Sequence, residues 1–208
     1  EHGSGSESNL VSQLQALEAY DTVPVVRVED NSRPRYSFAL DRGAAGIMVP
    51  RVDSARDAAL AVSFLRYPPD GIRGVAGLNR ACDFGTRTTE VVPSFNQTVL
   101  GIMQIETARA LDDVEEIAGT DGVDVLFVGP MDLSHSMGIP GDLEHPQFQA
   151  ALKRISESAR AAGKSAGIHV ASTTGIAKYA EQGFGMIAIG SDSSLMLNAM
   201  RDTIAAAR

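Results

Sequence analysis

The chain has 208 residues, of which 44% are hydrophobic, and its 26 acidic against 18 basic residues give a net charge of −8. This charge argues against a nucleic-acid-binding surface, and a small anionic substrate would need local arginines or a metal ion. The single cysteine excludes an internal disulfide and favours a reducing compartment such as the cytoplasm. No apolar run approaches the roughly 18 residues of a membrane span, so no membrane partner is expected.

Short apolar runs alternate with helical patterns along the chain. Runs rich in β-branched residues predict buried strands, and apolar residues at 3.6-residue spacing predict helices. In chain order the pattern predicts helix 10–20, strand 23–28, helix 31–42, strand 45–50, helix 53–65, strand 99–105, helix 107–118, strand 123–128, a helix starting near 130, a helix starting at 146, strand 165–170, helix 173–182, strand 186–190 and helix 191–207.

Two segments interrupt this alternation. Residues 66–97 contain two consecutive prolines, four arginines and four glycines, which predicts a long loop. Loops of that length inside compact domains are usually functional or disordered. A second, shorter loop is predicted over 138–145.

Six strands, each followed by a helix, predict an α/β fold that is either a doubly wound sheet or a TIM (β/α)8 barrel. A barrel needs eight strands and typically about 250 residues. The chain opens on Glu1-His2 without an initiator methionine, in what reads as a loop just before a helix. We therefore expect residues 1–208 to form a single barrel domain that lacks its first two strands.

Polar residues follow most of the predicted strands. Glu106 and Asp132 come after two neighbouring strands, which lie roughly 5 Å apart in a parallel sheet, so their carboxylates can share one ion. Oxygen ligands of this kind suit Mg²⁺ or Mn²⁺. The alternative is that both are helix N-terminal acids, which the helix dipole favours. The other strand-end residues are His2, Arg27, His169, Ser191 and Asp192.

Arg27 ends a predicted strand, where a charge must be paired or functional because burying it alone is costly. A structural ion pair is the alternative. His2 has the chemistry of a general base, or is incidental. The segment from Gly129 to Ser134 starts a helix, and its backbone N–H groups would cradle a carboxylate.

Several motifs occur together and in a fixed order. They are Glu1-His2, Pro24-Val25-Val26-Arg27, Arg66-Tyr67-Pro68-Pro69-Asp70-Gly71-Ile72-Arg73-Gly74, Gln104-Ile105-Glu106-Thr107, Val128-Gly129-Pro130-Met131-Asp132-Leu133-Ser134, His145-Pro146 and Gly163-Lys164. With these motifs the chain resembles the metal-dependent (class II) pyruvate aldolases of the HpcH/HpaI type, in the phosphoenolpyruvate/pyruvate barrel superfamily.

The resemblance implies reversible cleavage of a 4-hydroxy-2-oxo acid to pyruvate and an aldehyde. Glu106 and Asp132 would hold a divalent metal, Mg²⁺ or Mn²⁺ with Co²⁺ as a further candidate. Arg27 would stabilise the enolate oxygen and His2 would be the base, although the Asp that orients this His in the family would precede residue 1. Substrate contacts would come from Gln104, Gly129, Pro130, Met131 and Asp132, with the amides of Met131 and Asp132 on the pyruvyl carboxylate.

Candidate substrates are 4-hydroxy-2-oxoheptanedioate and 2-keto-3-deoxy sugar acids. His169 stands where relatives often carry an aliphatic residue, so we expect it to face the aldehyde and favour polar or acidic chains. The family usually forms hexamers, as trimers of dimers, through C-terminal helices. Two alternatives stay open: an acyl-CoA lyase of the citrate-lyase β type, and a non-catalytic α/β ligand-binding domain with a doubly wound sheet and no metal.

Overall fold

The computed structural model describes residues 7–207. Their strands are β1 (Val25–Arg27), β2 (Gly46–Val49), β3 (Leu100–Ile105), β4 (Val125–Val128), β5 (Ser165–Val170) and β6 (Phe184–Ile189). Their α-helices are α1 (Glu7–Leu17), α2 (Arg33–Asp41), α3 (Ala55–Leu65), α4 (Thr88–Thr98), α5 (Ala108–Asp112), α6 (Val114–Gly119), α7 (Pro130–Ser136), α8 (Pro146–Ala161), α9 (Ile176–Glu181) and α10 (Asp192–Ala206). None of these helices combines the length and apolar character that a bilayer-spanning segment needs.

The six described strands form one parallel sheet whose spatial order is the chain order, β1-β2-β3-β4-β5-β6. A doubly wound sheet reverses its strand order at a switch point, and this sheet does not. The predicted barrel-type α/β fold is therefore confirmed, and the doubly wound alternative is wrong. All strand carboxyl ends lie at one end of the sheet, as the site prediction requires.

The two faces of the sheet carry different side chains. Met103 and Ile105 of β3 pack into the main core beneath the helices. Ile102 points to the opposite face, where it packs with Val125 and Phe127 of β4. Side chains from strands near both sheet edges join this inner cluster, which requires the sheet to curl around a common interior; they are Val25, Met48, Met186 and Ala188.

The prediction of a loop over residues 66–97 is wrong for its second half. A 3₁₀ turn spans Arg80–Gly85, and helix α4 follows from Thr88 to Thr98. The sequence pattern concealed α4 because Pro93 lies inside it, and a proline in a helix interior removes a backbone hydrogen bond. The predicted helix 107–118 is also divided, because Asp113 interrupts it between α5 and α6.

The first part of that segment is a firmly held turn. The Asn96 side chain accepts a hydrogen bond from the Tyr67 amide at 2.7 Å and donates to the Tyr67 carbonyl at 3.0 Å. The Arg73 guanidinium is buried between the rings of Tyr67 and Phe95 and forms an ion pair with Asp41 at 2.7 Å. These contacts make the Arg-Tyr-Pro-Pro motif a structural element that joins α2, α3 and α4.

A cleft of about 570 Å³ lies beside this turn, at the amino end of the strands. Its lining includes Val99 and Asp124, which immediately precede β3 and β4. In barrel enzymes the amino end serves stability, and chemistry occurs at the carboxyl end. The cleft is therefore separate from the predicted site.

Candidate active site at the carboxyl end of the strands

Hydrogen bonds join three of the predicted site residues. Arg27 is in register with Met48, which is in register with Ile102, so Gln104 lies one step further along the same face. The Arg27 side chain is long enough to reach Gln104, and its Nε donates a hydrogen bond to Gln104 Oε1 at 2.6 Å. Gln104 Nε2 in turn donates to Glu106 Oε2 at 2.9 Å. The guanidinium and the carboxylate are thus held by one amide side chain.

Glu106 is 4% exposed, and Gln104 is 5% exposed. The second oxygen of the Glu106 carboxylate, Oε1, accepts a hydrogen bond from the backbone N–H of Arg51 at 2.8 Å. Burial of a carboxylate is costly unless donors or a cation surround it. Two N–H donors, one on a side chain of β3 and one in the backbone just after β2, therefore fix both oxygens of this carboxylate in place.

Arg51 was not among the site residues predicted from the sequence. It is the second residue after β2, and its φ of 51° is in the left-handed region that non-glycine residues rarely adopt. Such a conformation persists where the surrounding structure holds it in place. In this conformation, the backbone N–H of Arg51 is directed at Glu106. The signal was available, because Arg51 is a polar residue just past a strand end, like the residues that were predicted.

Gly129 brings the start of α7 against Glu106. A Cβ at position 129 would lie 2.8 Å from Glu106 Oε2 and 3.2 Å from Glu106 Cβ, closer than ordinary contacts allow. A side chain at position 129 would therefore require the Glu106 carboxylate or the start of α7 to shift. Asp132 follows three residues later in the first turn of α7, exposed, on the strand–helix unit next to that of Glu106.

The donor set fits a hard divalent cation. Within residues 7–207, no group of three or more His, Cys, Asp or Glu side chains is placed to hold a metal ion. Glu106 and Asp132 offer carboxylate oxygens, and a cation held by these two residues would leave its other positions to water or substrate. Mg²⁺ and Mn²⁺ are commonly bound in this way, through few carboxylates.

We expect Gly129→Ala to weaken binding of Mn²⁺ by about tenfold or more, because the new methyl group must displace Glu106 or the start of α7. The measurement is calorimetric Mn²⁺ titration, with thermal unfolding to verify that the protein stays folded. Gly119→Ala is the matched control, because a Cβ there meets nothing within 4 Å. Equal loss of affinity in both variants would contradict the assigned site.

The start of α7 also provides backbone donors. Its N-cap residue, Gly129, makes no side-chain cap hydrogen bond, and Pro130 occupies the first helical position. The first amides of a helix have no partner within the helix. The amides of Met131 and Asp132 are in this first turn, as the predicted carboxylate cradle requires, and the Met131 side chain is exposed.

The other described residues that were predicted at strand ends lie in different surroundings. His169, near the end of β5, pairs in register with Ala188 of the inner cluster, so it lies on the inner face. Its Nε2 lies 3.3 Å from the Gly190 carbonyl oxygen. Ser191 is the N-cap of α10 and forms a capping box with Ser194, and Asp192 is the first residue of this helix. His2 lies outside the described residues.

Comparisons with known proteins match nearly the whole chain. A family model for HpcH/HpaI aldolase/citrate lyase matches residues 6–199. The chain is similar to a hydroxypyruvate/pyruvate aldolase of Chromohalobacter salexigens, with 40% identity over 98% of this chain and 80% of that protein. It is also similar to a 4-hydroxy-2-oxo-heptane-1,7-dioate aldolase of Klebsiella pneumoniae, with 38% identity over 94% of this chain and 74% of that protein.

A solved structure gives the same result. The crystal structure of an HpcH/HpaI aldolase/citrate lyase family protein from Burkholderia cenocepacia has a TM-score of 0.95 to this chain at 40% identity. The match covers 100% of this chain and 83% of that one.

Proposed function

The chain belongs to the HpcH/HpaI aldolase/citrate lyase family, and from this membership we propose that it is a divalent-metal-dependent aldolase that cleaves 4-hydroxy-2-oxo acids to pyruvate and an aldehyde. The observation that carries the proposal is the hydrogen-bonded series Arg27–Gln104–Glu106 at the carboxyl end of the strands. The guanidinium can stabilise the negative charge of a developing enolate, and the buried carboxylate can bind a hard cation.

The reaction is a carbon–carbon bond cleavage. The 4-hydroxyl loses a proton, the bond between C3 and C4 breaks, and C4 leaves as the aldehyde carbon. The electron pair stays on the pyruvyl unit as an enolate, which becomes pyruvate when C3 gains a proton. A divalent cation held by Glu106 and Asp132 would supply the Lewis acid that polarises the 2-oxo group.

The chain's own residues have distinct roles in this scheme. Arg27 stabilises the negative charge that develops on the enolate oxygen, and Gln104 orients Arg27 by accepting from its Nε. The amides of Met131 and Asp132, next to Gly129 and Pro130, bind the pyruvyl carboxylate. His2 takes the proton from the 4-hydroxyl; this role rests on the family resemblance alone.

The test is pyruvate release from a panel of 4-hydroxy-2-oxo acids, assayed with Mg²⁺, Mn²⁺, Co²⁺ or a chelator. We expect release that requires a metal ion and disappears with the chelator. A parallel assay of CoA-thioester cleavage separates the acyl-CoA lyase alternative. Thioester cleavage without pyruvate release from any acid would replace the aldolase proposal with that alternative.

His169 supports a second prediction about substrate choice. Because it is exposed on the inner face, near the carboxyl end of β5, we propose that it faces the aldehyde part of the substrate. Replacing it by leucine should shift the preference from polar towards apolar aldehydes, by about threefold to tenfold in relative kcat/KM, because one hydrogen bond is lost. The measurement is forward aldol addition of pyruvate to aldehydes of graded polarity. An unchanged order of preference would refute this role.

The oligomeric state also belongs to the proposal. Apolar residues of α10 are exposed in the described part of the chain, namely Leu195, Met196, Leu197, Met200 and Ile204. Exposed apolar patches of this kind often mark contacts between proteins. They support the proposed assembly of copies into a hexamer, as a trimer of dimers.

A further inference from the structure

Arg51 has a fixed backbone beside the candidate metal ligand. Its N–H donates to Glu106 Oε1 at 2.8 Å, so its main chain lies directly against the carboxylate. From its Cα, an arginine side chain built of bonds near 1.5 Å reaches roughly 6 Å. The guanidinium of Arg51 can therefore reach a substrate that is bound between Glu106 and Arg27.

Within the described residues, the guanidinium of Arg51 has no carboxylate partner. The side chain is exposed, and it forms no salt bridge within residues 7–207. Other arginines among the described residues do form ion pairs with carboxylates; these pairs are Arg35–Glu29, Arg66–Asp121, Arg73–Asp41, Arg80–Glu18, Arg87–Glu90 and Arg154–Glu115. A cation left without a carboxylate at the site is available for an anionic group of the substrate.

We propose that Arg51 binds a carboxylate on the part of the substrate that leaves as the aldehyde, so that the preferred substrates are 4-hydroxy-2-oxo diacids. The proposal rests on the aldolase reaction proposed above. In that scheme the pyruvyl carboxylate is bound at the start of α7 and the enolate oxygen at Arg27. Arg51, which follows β2, is a further cation, and an aldehyde-side carboxylate is the remaining anionic group that it can bind. An arginine fork matches a carboxylate in geometry as well as charge.

The first experiment measures binding without turnover. The Mn²⁺-loaded wild type is titrated calorimetrically with 2-oxo acids that lack the 4-hydroxyl and cannot be cleaved. 2-Oxopentanedioate is compared with 2-oxopentanoate, and 2-oxoheptanedioate with 2-oxoheptanoate; each pair differs only in the distal carboxylate. Because a hydrogen bond to a charged group contributes enough for about tenfold in affinity, we expect at least one diacid to bind about tenfold more tightly than its partner.

The variants are Arg51→Met, Arg51→Lys and the control Arg56→Met, which changes an exposed arginine on α3. Arg51→Met should abolish the preference for the diacid, Arg51→Lys should keep part of it, and Arg56→Met should keep all of it. A diacid preference that persists in Arg51→Met, or that is absent from the wild type, would overturn the proposal.

The second experiment measures pyruvate release from cleavable diacids and matched monoacids. Arg51→Met should lower kcat/KM about tenfold for the diacid and change it less than about threefold for the monoacid. Equal losses for both would show that position 51 acts only through Glu106, which overturns the proposal. If the wild type cleaves neither substrate while the diacid preference in binding depends on Arg51, the aldolase reaction fails and the carboxylate subsite stands.

Discussion

Replacing Glu106 by glutamine is expected to lower metal-dependent pyruvate release by at least about a thousandfold, equivalent to about 4 kcal/mol of transition-state stabilisation. The buried carboxylate is the best-fixed oxygen ligand of the candidate metal site, with hydrogen bonds to both of its oxygens. An amide has one oxygen, so its NH₂ group must face one of the two N–H donors. The variant therefore loses both the negative charge and the arrangement that holds it.

The measurements are Mn²⁺ titration and steady-state pyruvate release, with thermal unfolding to show that the variant is folded. Glu181→Gln, at the end of α9 and exposed, is the matched control and should behave as the wild type. A Glu106→Asp variant keeps the negative charge but has a side chain shorter by one methylene. Its Mn²⁺ affinity and pyruvate release should lie between those of Glu106→Gln and the wild type. Wild-type metal affinity in folded Glu106→Gln would remove this residue from the metal site.

The second large effect is expected for Arg27→Lys. Lysine keeps the positive charge but lacks the planar fork, so the 2.6 Å hydrogen bond to Gln104 is lost together with the orientation of the cation. Because Arg27 acts on charge that develops during bond cleavage, kcat should fall by about 100-fold to 1000-fold while KM changes little.

Enolisation can be measured separately from cleavage, by the incorporation of deuterium into the pyruvate methyl group in D₂O. If Arg27 stabilises the enolate, Arg27→Lys should slow this exchange by a factor similar to the loss in kcat. The control is Arg160→Lys, an exposed arginine on α8. Normal exchange together with slow cleavage would assign Arg27 to the aldehyde instead of the enolate.

Much of the fold was readable from the sequence, because its signals are local. Strand β5 was predicted at its observed bounds, and the start of α8 at Pro146 was also correct. Apolar runs, capping residues and helix-start prolines act over a few neighbouring residues, so no knowledge of distant contacts was needed. Helix α4 was missed because Pro93 gave a local signal against a helix that forms nonetheless.

The candidate site was predicted in part for the same reason. In parallel α/β folds, polar residues at strand ends meet at one end of the sheet, and this is why Arg27, Glu106 and Asp132 were predicted as site residues. Gln104 entered only through the family resemblance. Arg51 was missed although it follows a predicted strand, because the contact that places it at the site is made by its backbone N–H and not by its side chain.

The sequence by itself determined the order of strands and helices and which strands end on charged residues, because these follow from short-range periodicity. The tertiary structure alone decided that Arg27 reaches Gln104 across 77 positions and that the Arg51 amide meets Glu106 across 55. It also decided that α7 approaches Glu106 so closely that a Cβ at position 129 would lie 2.8 Å from the carboxylate. These contacts depend on strand register and on the distance between elements, which are set by packing of the whole sheet and not by any one segment.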